Sequence, residues 1–296
     1  SICKVDLRSD LVAEFPELQG ILGGHFAEAQ GFEKEVCQSI SEHYLPSGLD
    51  SKVPKNLYSI TLSLSDKLDT LVGFFGLDLV PTGSKDPYAL RRFTIALVRL
   101  IIENKIKIKL RSIINYSLSL YKEQGFEFNI TKVLKDLNNF ILERLKNYSK
   151  EKDIRLDIIE SSILSNDIDE LYNGYKKAEV LNRIIKKELG QDVVAIYKRS
   201  FNILNSEIKK NKLEISNSVD TGLFNNDFEK NLYKKIQEVK KYFLNVDKNE
   251  DFEISLKELF KFKQDVNLFF DNVIVNDANH LVKKNRLELL NLLCKS

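Results

Sequence analysis

The stretch from Leu64 to Arg92, LSDKLDTLVGFFGLDLVPTGSKDPYALRR, decides how this chain is organised. Its first half predicts a long helix, which the polar loop Pro81–Ser84 ends because proline and glycine interrupt regular structure. A second helix is predicted to begin at Asp86, an N-cap acid followed by a proline at the first helical position. This helix is expected to expose Arg91 and Arg92 in its second turn. The stretch thus predicts a junction between two folded pieces.

Helical periodicity extends across the rest of the chain. The segment 57–77 is ambiguous at its start, because Ser59–Ser65 alternates like a strand, but its helical apolar stripe is longer and favours a helix. Five prolines and twelve glycines are few for 296 residues, which favours long helices over a turn-rich β fold. The predicted fold class is all-α, with a smaller bundle over residues 1–88 and a larger one over residues 89–296.

Three further predictions concern single elements. Residues 4–30 are predicted as a helix that Pro16 kinks or divides. Ser255 and Glu258 are predicted to form a capping box at the start of a later helix. Another helix is predicted to turn one apolar stripe to the core, formed by Val194, Tyr197, Phe201 and Leu204.

The composition excludes several classes of protein. The three cysteines, Cys3, Cys37 and Cys294, form no CxxC pair, so a zinc ribbon is not expected, and their small odd number suits a reducing cytoplasm. The longest apolar run, near Phe93–Ile102, is interrupted by Arg99 and is too short to predict a membrane span. The sequence contains neither a GxSxG nucleophile motif nor a Walker-type phosphate loop.

The start of the chain, SICKVDLRSD, is charged and lacks the apolar segment of a signal peptide. The sequence has no methionine, which is expected of a fragment or a processed product. Together with the cysteine usage, these features predict a cytoplasmic location.

Charge is segregated along the chain although its net value is only +2. Residues 176–212 hold ten Lys/Arg against four Asp/Glu, whereas residues 214–258 hold seven against ten. Within the basic part, Lys198 and Asn202 are neighbours one turn apart on a predicted helix, with Arg199 beside them. Basic side chains bind phosphates and an amide can read a base edge, so this face is a candidate RNA contact. A merely solvated basic face is the alternative.

Six motifs are spread along nearly the whole chain. They are LRSDLVAEFPELQGI (7–21), ISEHYLP (40–46), KLDTLVGFF (67–75), PTGSKDPYALRR (81–92), FFDNVIVND (269–277) and NRLELLNLL (285–293). In their residues, order and spacing, these motifs resemble the beta subunit of bacterial heterotetrameric glycyl-tRNA synthetases.

The resemblance implies an HD-like helical domain over residues 1–88, followed by a helical linker and a DALR-type anticodon-binding bundle over residues 89–296. The family pattern KR-x-x-N-I-L is matched from Lys198 to Leu204, and DPxALRR is matched from Asp86 to Arg92. The residues expected to bind tRNA are Lys198, Arg199, Asn202, Arg144, Arg155, Lys85, Arg91 and Arg92.

The resemblance also implies the partners of the chain. They are glycine tRNA and the alpha subunit of an alpha2beta2 assembly, with neither membrane nor DNA involved. In this family, the alpha subunit activates glycine with ATP and Mg, so no cofactor is expected on this chain. The chain itself is expected to position tRNA rather than to carry catalytic residues.

Two other classes of function stay open at this point. An HD-type metal-dependent phosphohydrolase needs a His-Asp pair with further His and Asp ligands, but the chain has no His-Asp dipeptide. The candidate ligands are His25, His43, Asp66 and Asp69. The expected partners of the two aspartates are instead Lys67, Lys85 or Arg91. The other alternative is a helical assembly module that binds only protein.

Overall fold

The computed structural model describes residues 2–164, 168–211, 215–216, 218–245 and 252–295. Within these ranges the regular secondary structure is helical, and the one β-type pairing is an isolated bridge between Thr82 and Lys85. The predicted all-α fold class is therefore confirmed.

The α-helices follow one another with mostly short connections. They are α1 (Asp10–Glu14), α2 (Ile21–Ala29), α3 (Lys34–Glu42), α4 (Leu57–Gly76), α5 (Leu90–Glu103), α6 (Leu110–Glu123), α7 (Ile130–Glu151), α8 (Leu156–Leu164), α9 (Leu171–Ile185), α10 (Glu188–Asn211), α11 (Asp227–Asn245), α12 (Phe252–Phe260), α13 (Phe262–Asn272) and α14 (His280–Cys294). Short 3-10 helices lie at Ile2–Arg8, Pro16–Leu18, Ile168–Glu170 and Thr221–Leu223. In the described part of the chain, none of the helices combines the length and hydropathy that a bilayer span requires.

The chain divides into two compact units, Ser1–Ala178 and Glu179–Ser296. The boundary that the sequence predicts, after residue 88, lies inside unit 1. Helix α4 packs against α5, α6 and α7, so helices on both sides of residue 88 share one core. The assignment of HD-like and DALR-type domains to residues 1–88 and 89–296 stays a prediction.

The N-terminal segment is divided at Pro16, which is one of the two outcomes predicted for residues 4–30. Pro16 begins a short 3-10 helix after α1, and Gly20 then adopts a φ of +82° before α2 begins. The carboxylate of Asp6 accepts a hydrogen bond of 2.6 Å from the Gly20 N–H. A β-carbon at Gly20 would lie 2.9 Å from Cδ2 of Tyr44, so this turn needs glycine for both its φ and its space.

Helix α4 confirms the choice of helix over strand for residues 57–77. The side chain of Asn56 caps it by accepting a hydrogen bond of 2.8 Å from the Tyr58 N–H. Near its other end, a β-carbon at Gly73 would collide with Tyr121, and one at Gly76 would collide with the ring of Phe128. The two glycines of LVGFFG therefore allow aromatic side chains to lie directly on the helix backbone.

Unit 2 is built around the apolar faces of α10, α11, α13 and α14. Phe269 is fully buried there. The guanidinium of Arg286 donates to Glu229 at 2.6 Å and to Asp277 at 2.7 Å, inside the unit. The predicted capping box at Ser255 is wrong, because α12 begins at Phe252 and Ser255 is a buried residue of its interior.

Candidate nucleic-acid interface

Helix α5 begins later than the sequence predicted. Pro87 and Tyr88 form a turn, Ala89 takes a left-handed φ of +56°, and the helix starts at Leu90. The carboxylate of Asp86 nevertheless accepts hydrogen bonds from the Leu90 N–H at 2.9 Å and the Arg91 N–H at 3.0 Å. The acid therefore caps the helix across the turn, and the paired arginines lie in the first turn of the helix instead of the second.

The side chain of Arg91 holds the loop before α5. Its guanidinium donates to the carbonyl of Gly83 at 2.6 Å and approaches the carbonyl of Lys85 at 3.5 Å. Thr82 and Lys85 also exchange backbone hydrogen bonds of 3.2 and 2.9 Å. The loop is thus fixed against α5, and it presents the exposed side chain of Lys85 near the helix start.

Three of the predicted tRNA-binding residues share one groove in unit 1, which we name the arginine groove. It has a volume of roughly 880 Å³, and Arg91, Arg92 and Arg144 line it. Lys150 lines it too and was missed, because the sequence offers no signal that α5 and α7 bring these positions together. Asp50 is one of its acidic residues, so the groove is basic without being uniformly so.

The guanidinium of Arg144 is largely enclosed. Its side chain is only 12% exposed, and its Cζ lies 4.4 Å from the centroid of the Phe140 ring. Burial lowers the pKa of its guanidinium, Glu143 opposes that shift, and the nearby Arg91 reinforces it. A guanidinium stacked on an aromatic ring has few rotamers to lose, so Arg144 is held in place before any anion arrives.

Arg155 does not line the arginine groove. It lies at the start of α8, where its Nε donates to Asp157 at 3.0 Å and a second nitrogen contacts the same carboxylate. The hydrogen bonds from this guanidinium lower the pKa of Asp157. The structure therefore separates Arg155 from the other basic residues predicted in unit 1 and gives its charge a partner.

In unit 2 the predicted residues lie along the solvent side of α10. Lys198, Arg199 and Asn202 are all exposed. Lys198 and Asn202 make no intramolecular hydrogen bond or ion pair among the residues that the structure describes. Arg199 differs, because its Cζ lies over the ring of Phe270 on α13, 4.1 Å from the ring centroid.

Two aromatic residues of α10 overturn the predicted core stripe. Tyr197 is 47% exposed and Phe201 is 44% exposed, and their rings stack with centroids 5.7 Å apart at an angle of 15°. Leu204 is buried as predicted. The spacing of the apolar residues predicts that the whole stripe is buried. In the structure, the other helices of unit 2 cover a different face of α10, and the aromatic pair stays exposed to solvent. We name Tyr197, Lys198, Phe201 and Asn202 the α10 surface.

The acidic residues of α10 are largely neutralised by other helices. Asp192 pairs with Lys263 at 2.5 Å, and the buried Glu207 pairs with Lys283 at 2.6 Å. The bond from Lys283 lowers the pKa of Glu207. Among the described residues, the positive charge of Lys198 on the solvent side is consequently left without a carboxylate partner.

The four candidate metal ligands of unit 1 do not converge. Within the described ranges, no group of three His, Cys, Asp or Glu side chains could hold a metal ion. His43 is buried with Nδ1 2.7 Å from the Ile40 carbonyl, and burial lowers its pKa. Asp66 pairs with Lys4, and Asp69 lies 3.5 Å from the Ser117 hydroxyl. Among the described residues neither aspartate forms an ion pair with Lys67, Lys85 or Arg91, so these predicted pairs are wrong, although Asp66 lies near enough to Lys67 to act on its charge.

Two family models match this chain, and each match lies within one of the two compact units. Residues 1–164 match the family model for the glycyl-tRNA synthetase beta subunit, and residues 193–296 match that for the DALR anticodon binding domain. The glycine–tRNA ligase beta subunits of Rickettsia typhi and Rickettsia prowazekii are each 36% identical over 294 residues, which cover 99% of this chain. The chain spans 42% of the length of these curated relatives.

Proposed function

Because this chain belongs to the glycyl-tRNA synthetase beta subunit family, we propose that it is a tRNA-binding part of such a subunit. Glycine tRNA is its ligand, and an alpha subunit is its protein partner in an alpha2beta2 enzyme of the cytoplasm. ATP and Mg act at the alpha subunit, where glycine is activated and joined to tRNA. This chain contributes binding and orientation to that ligase reaction.

The α10 surface carries this proposal. It lies in the segment that matches an anticodon-binding family model, and it presents Lys198 and Asn202 to solvent without intramolecular partners among the described residues. An ammonium group attracts phosphate, and an amide can donate to and accept from the edge of an unpaired base. Arg199 lies beside them and is held against Phe270, which orients its remaining donors.

The arginine groove of unit 1 supplies a second contact in this proposal. Arg92 and Arg144 bind phosphate oxygens there, because guanidinium groups match phosphate geometry with paired donors. Arg91 mainly fixes the loop that carries Lys85, so its effect on tRNA is partly indirect. Arg155 is a peripheral phosphate contact, since Asp157 already shares its charge.

The mechanistic contribution is positional. Glycyl transfer joins two molecules, and holding the tRNA on the enzyme turns this step into an effectively unimolecular one. Contacts far from the reacting ends can supply that advantage, because binding energy released elsewhere offsets the entropy lost on association.

Binding of this chain to glycine tRNA, compared with a non-cognate tRNA across a salt series, tests the proposal. The double variant Lys198→Ala/Asn202→Ala is expected to lose cognate preference and to reduce the salt slope by about 1, the effect of one phosphate contact. Lys234→Ala, at an exposed lysine of α11, is the matched control and should leave the preference unchanged. Equal binding of both tRNAs by the unmodified chain would reduce the α10 surface to a merely basic one.

A further inference from the structure

Two aromatic rings of α10 are exposed to solvent, although binding phosphate requires only the cations beside them. We propose that Tyr197 and Phe201 form a stacking platform for unpaired bases of RNA. This inference rests on the proposed function, because it assigns a role to side chains beside the predicted tRNA contacts. It adds two residues that the sequence pattern had assigned to the core.

The geometry of the pair suits a flat ligand. The two rings are stacked at 15° and are each almost half exposed. Ile208 lies on the same side of the helix, two turns further on, and is 39% exposed. Single exposed apolar residues are ordinary on a protein surface, but two stacked and half-exposed rings, with a third exposed apolar side chain on the same side of the helix, are typical of a binding surface.

The neighbouring charges favour RNA over an apolar partner. Lys198, Asn202 and Lys209 lie roughly 60–100° round the helix from Phe201, as 100° per residue requires. They are exposed, and none has a described intramolecular partner. A base on the rings would leave its phosphate near an ammonium group and its edge near the Asn202 amide. This combination of aromatic faces and cations is typical of sites for single-stranded nucleic acid.

The platform also predicts which RNA structure binds. Bases inside a duplex are stacked on one another and offer no free face, whereas bases in a loop can turn outward. A hairpin loop should therefore reach Tyr197 and Phe201, and a fully paired helix should reach only the lysines. The chemical class of the ligand is thus an unpaired loop, not a helical stem.

The chain has no tryptophan, and this allows a direct measurement. Phe201→Trp keeps an aromatic ring and introduces a single tryptophan fluorophore into the platform. We expect its emission to be quenched when a hairpin carrying the anticodon loop of glycine tRNA binds to the full chain. A duplex with the same stem should cause no comparable quenching, because its bases cannot stack on the ring.

Affinity for the same hairpin gives the second measurement. Tyr197→Leu/Phe201→Leu keeps apolar side chains but removes both rings, and hairpin affinity should fall roughly 5- to 150-fold, the range for loss of one stacked base. The salt slope should stay unchanged, because no phosphate contact is removed. Tyr116→Leu, at a tyrosine of α6 that is 65% exposed, is the control and should bind as the unmodified chain does.

The outcomes separate this inference from the proposed function. Two results together would overturn the platform and leave tRNA binding intact. The hairpin would bind without quenching the emission of the Phe201→Trp variant, and the leucine variant would bind the hairpin with less than about a twofold loss of affinity. No hairpin binding at low salt would overturn both. If the leucine variant unfolds, as judged by circular dichroism, the quenching of Phe201→Trp still decides the question. Quenching by an added protein partner but not by RNA would mark the rings as a protein contact and refute the platform.

Discussion

Lys67 provides the most quantitative prediction about unit 1. Its ammonium group is buried in the interior, with only 3% of the residue exposed. It donates to the carbonyl oxygens of His43 and Leu45 at 3.1 and 3.2 Å, and to the Ser63 hydroxyl at 2.8 Å. Burial lowers the pKa of Lys67 to about 8, although the nearby Asp66 opposes the shift.

The lowered pKa determines how stability depends on pH. At pH 7 the lysine is protonated in the folded and the unfolded chain, so the full cost of burying the charge is present. As pH rises through about 8, the folded chain releases the proton first, and stability increases until the unfolded lysine also titrates near pH 10.4. Between about pH 7 and about pH 9.5 this gain is about 2 kcal/mol, at 1.36 kcal/mol per pKa unit.

The substitution Lys67→Met removes the titrating group while keeping a long apolar side chain. We expect the free energy of unfolding of the unmodified chain, minus that of the variant, to increase by about 2 kcal/mol between these two pH values. Urea denaturation at several pH values, followed by the transition of unit 1, measures this difference. Other titrating groups are present in both proteins and cancel. Parallel pH profiles for the two proteins would refute a lowered pKa at Lys67.

Three other predictions concern packing and binding. Arg286→Ala should destabilise unit 2 by about 3–5 kcal/mol in urea denaturation, because it leaves Glu229 charged and buried; a loss below about 1 kcal/mol would contradict this. Gly76→Ala should cost about 1–3 kcal/mol by the same assay, since its β-carbon would meet the Phe128 ring, and a neutral effect would show that the ring moves freely. Arg92→Ala should weaken glycine-tRNA binding and reduce the salt slope by about 1, whereas Arg92→Lys should preserve the slope. Equal slopes for the two Arg92 variants would exclude a phosphate contact.

Local sequence determined the fold class and most helices. The 3.6-residue period of apolar side chains is a property of each segment, so α4 was predicted correctly despite the alternation at its start. The sequence predicts that Asp86 is a capping acid, and its carboxylate does accept hydrogen bonds from two backbone N–H groups. Helix α5 begins at Leu90, later than the sequence predicts, because a turn through Ala89 precedes it and the side chain of Arg91 holds the loop before that turn. Such a contact is not visible in a local pattern.

The charges of the side chains, and the family motifs that contain them, indicate which residues could bind RNA. Which of these residues lie close together depends on the tertiary structure. It grouped Arg91, Arg92 and Arg144 in one groove and left Arg155 outside it. It also turned Tyr197 to solvent, because a period fixes which residues share a face but not which face the neighbouring helices cover. That choice depends on the packing of distant segments, and it created the aromatic part of the candidate site.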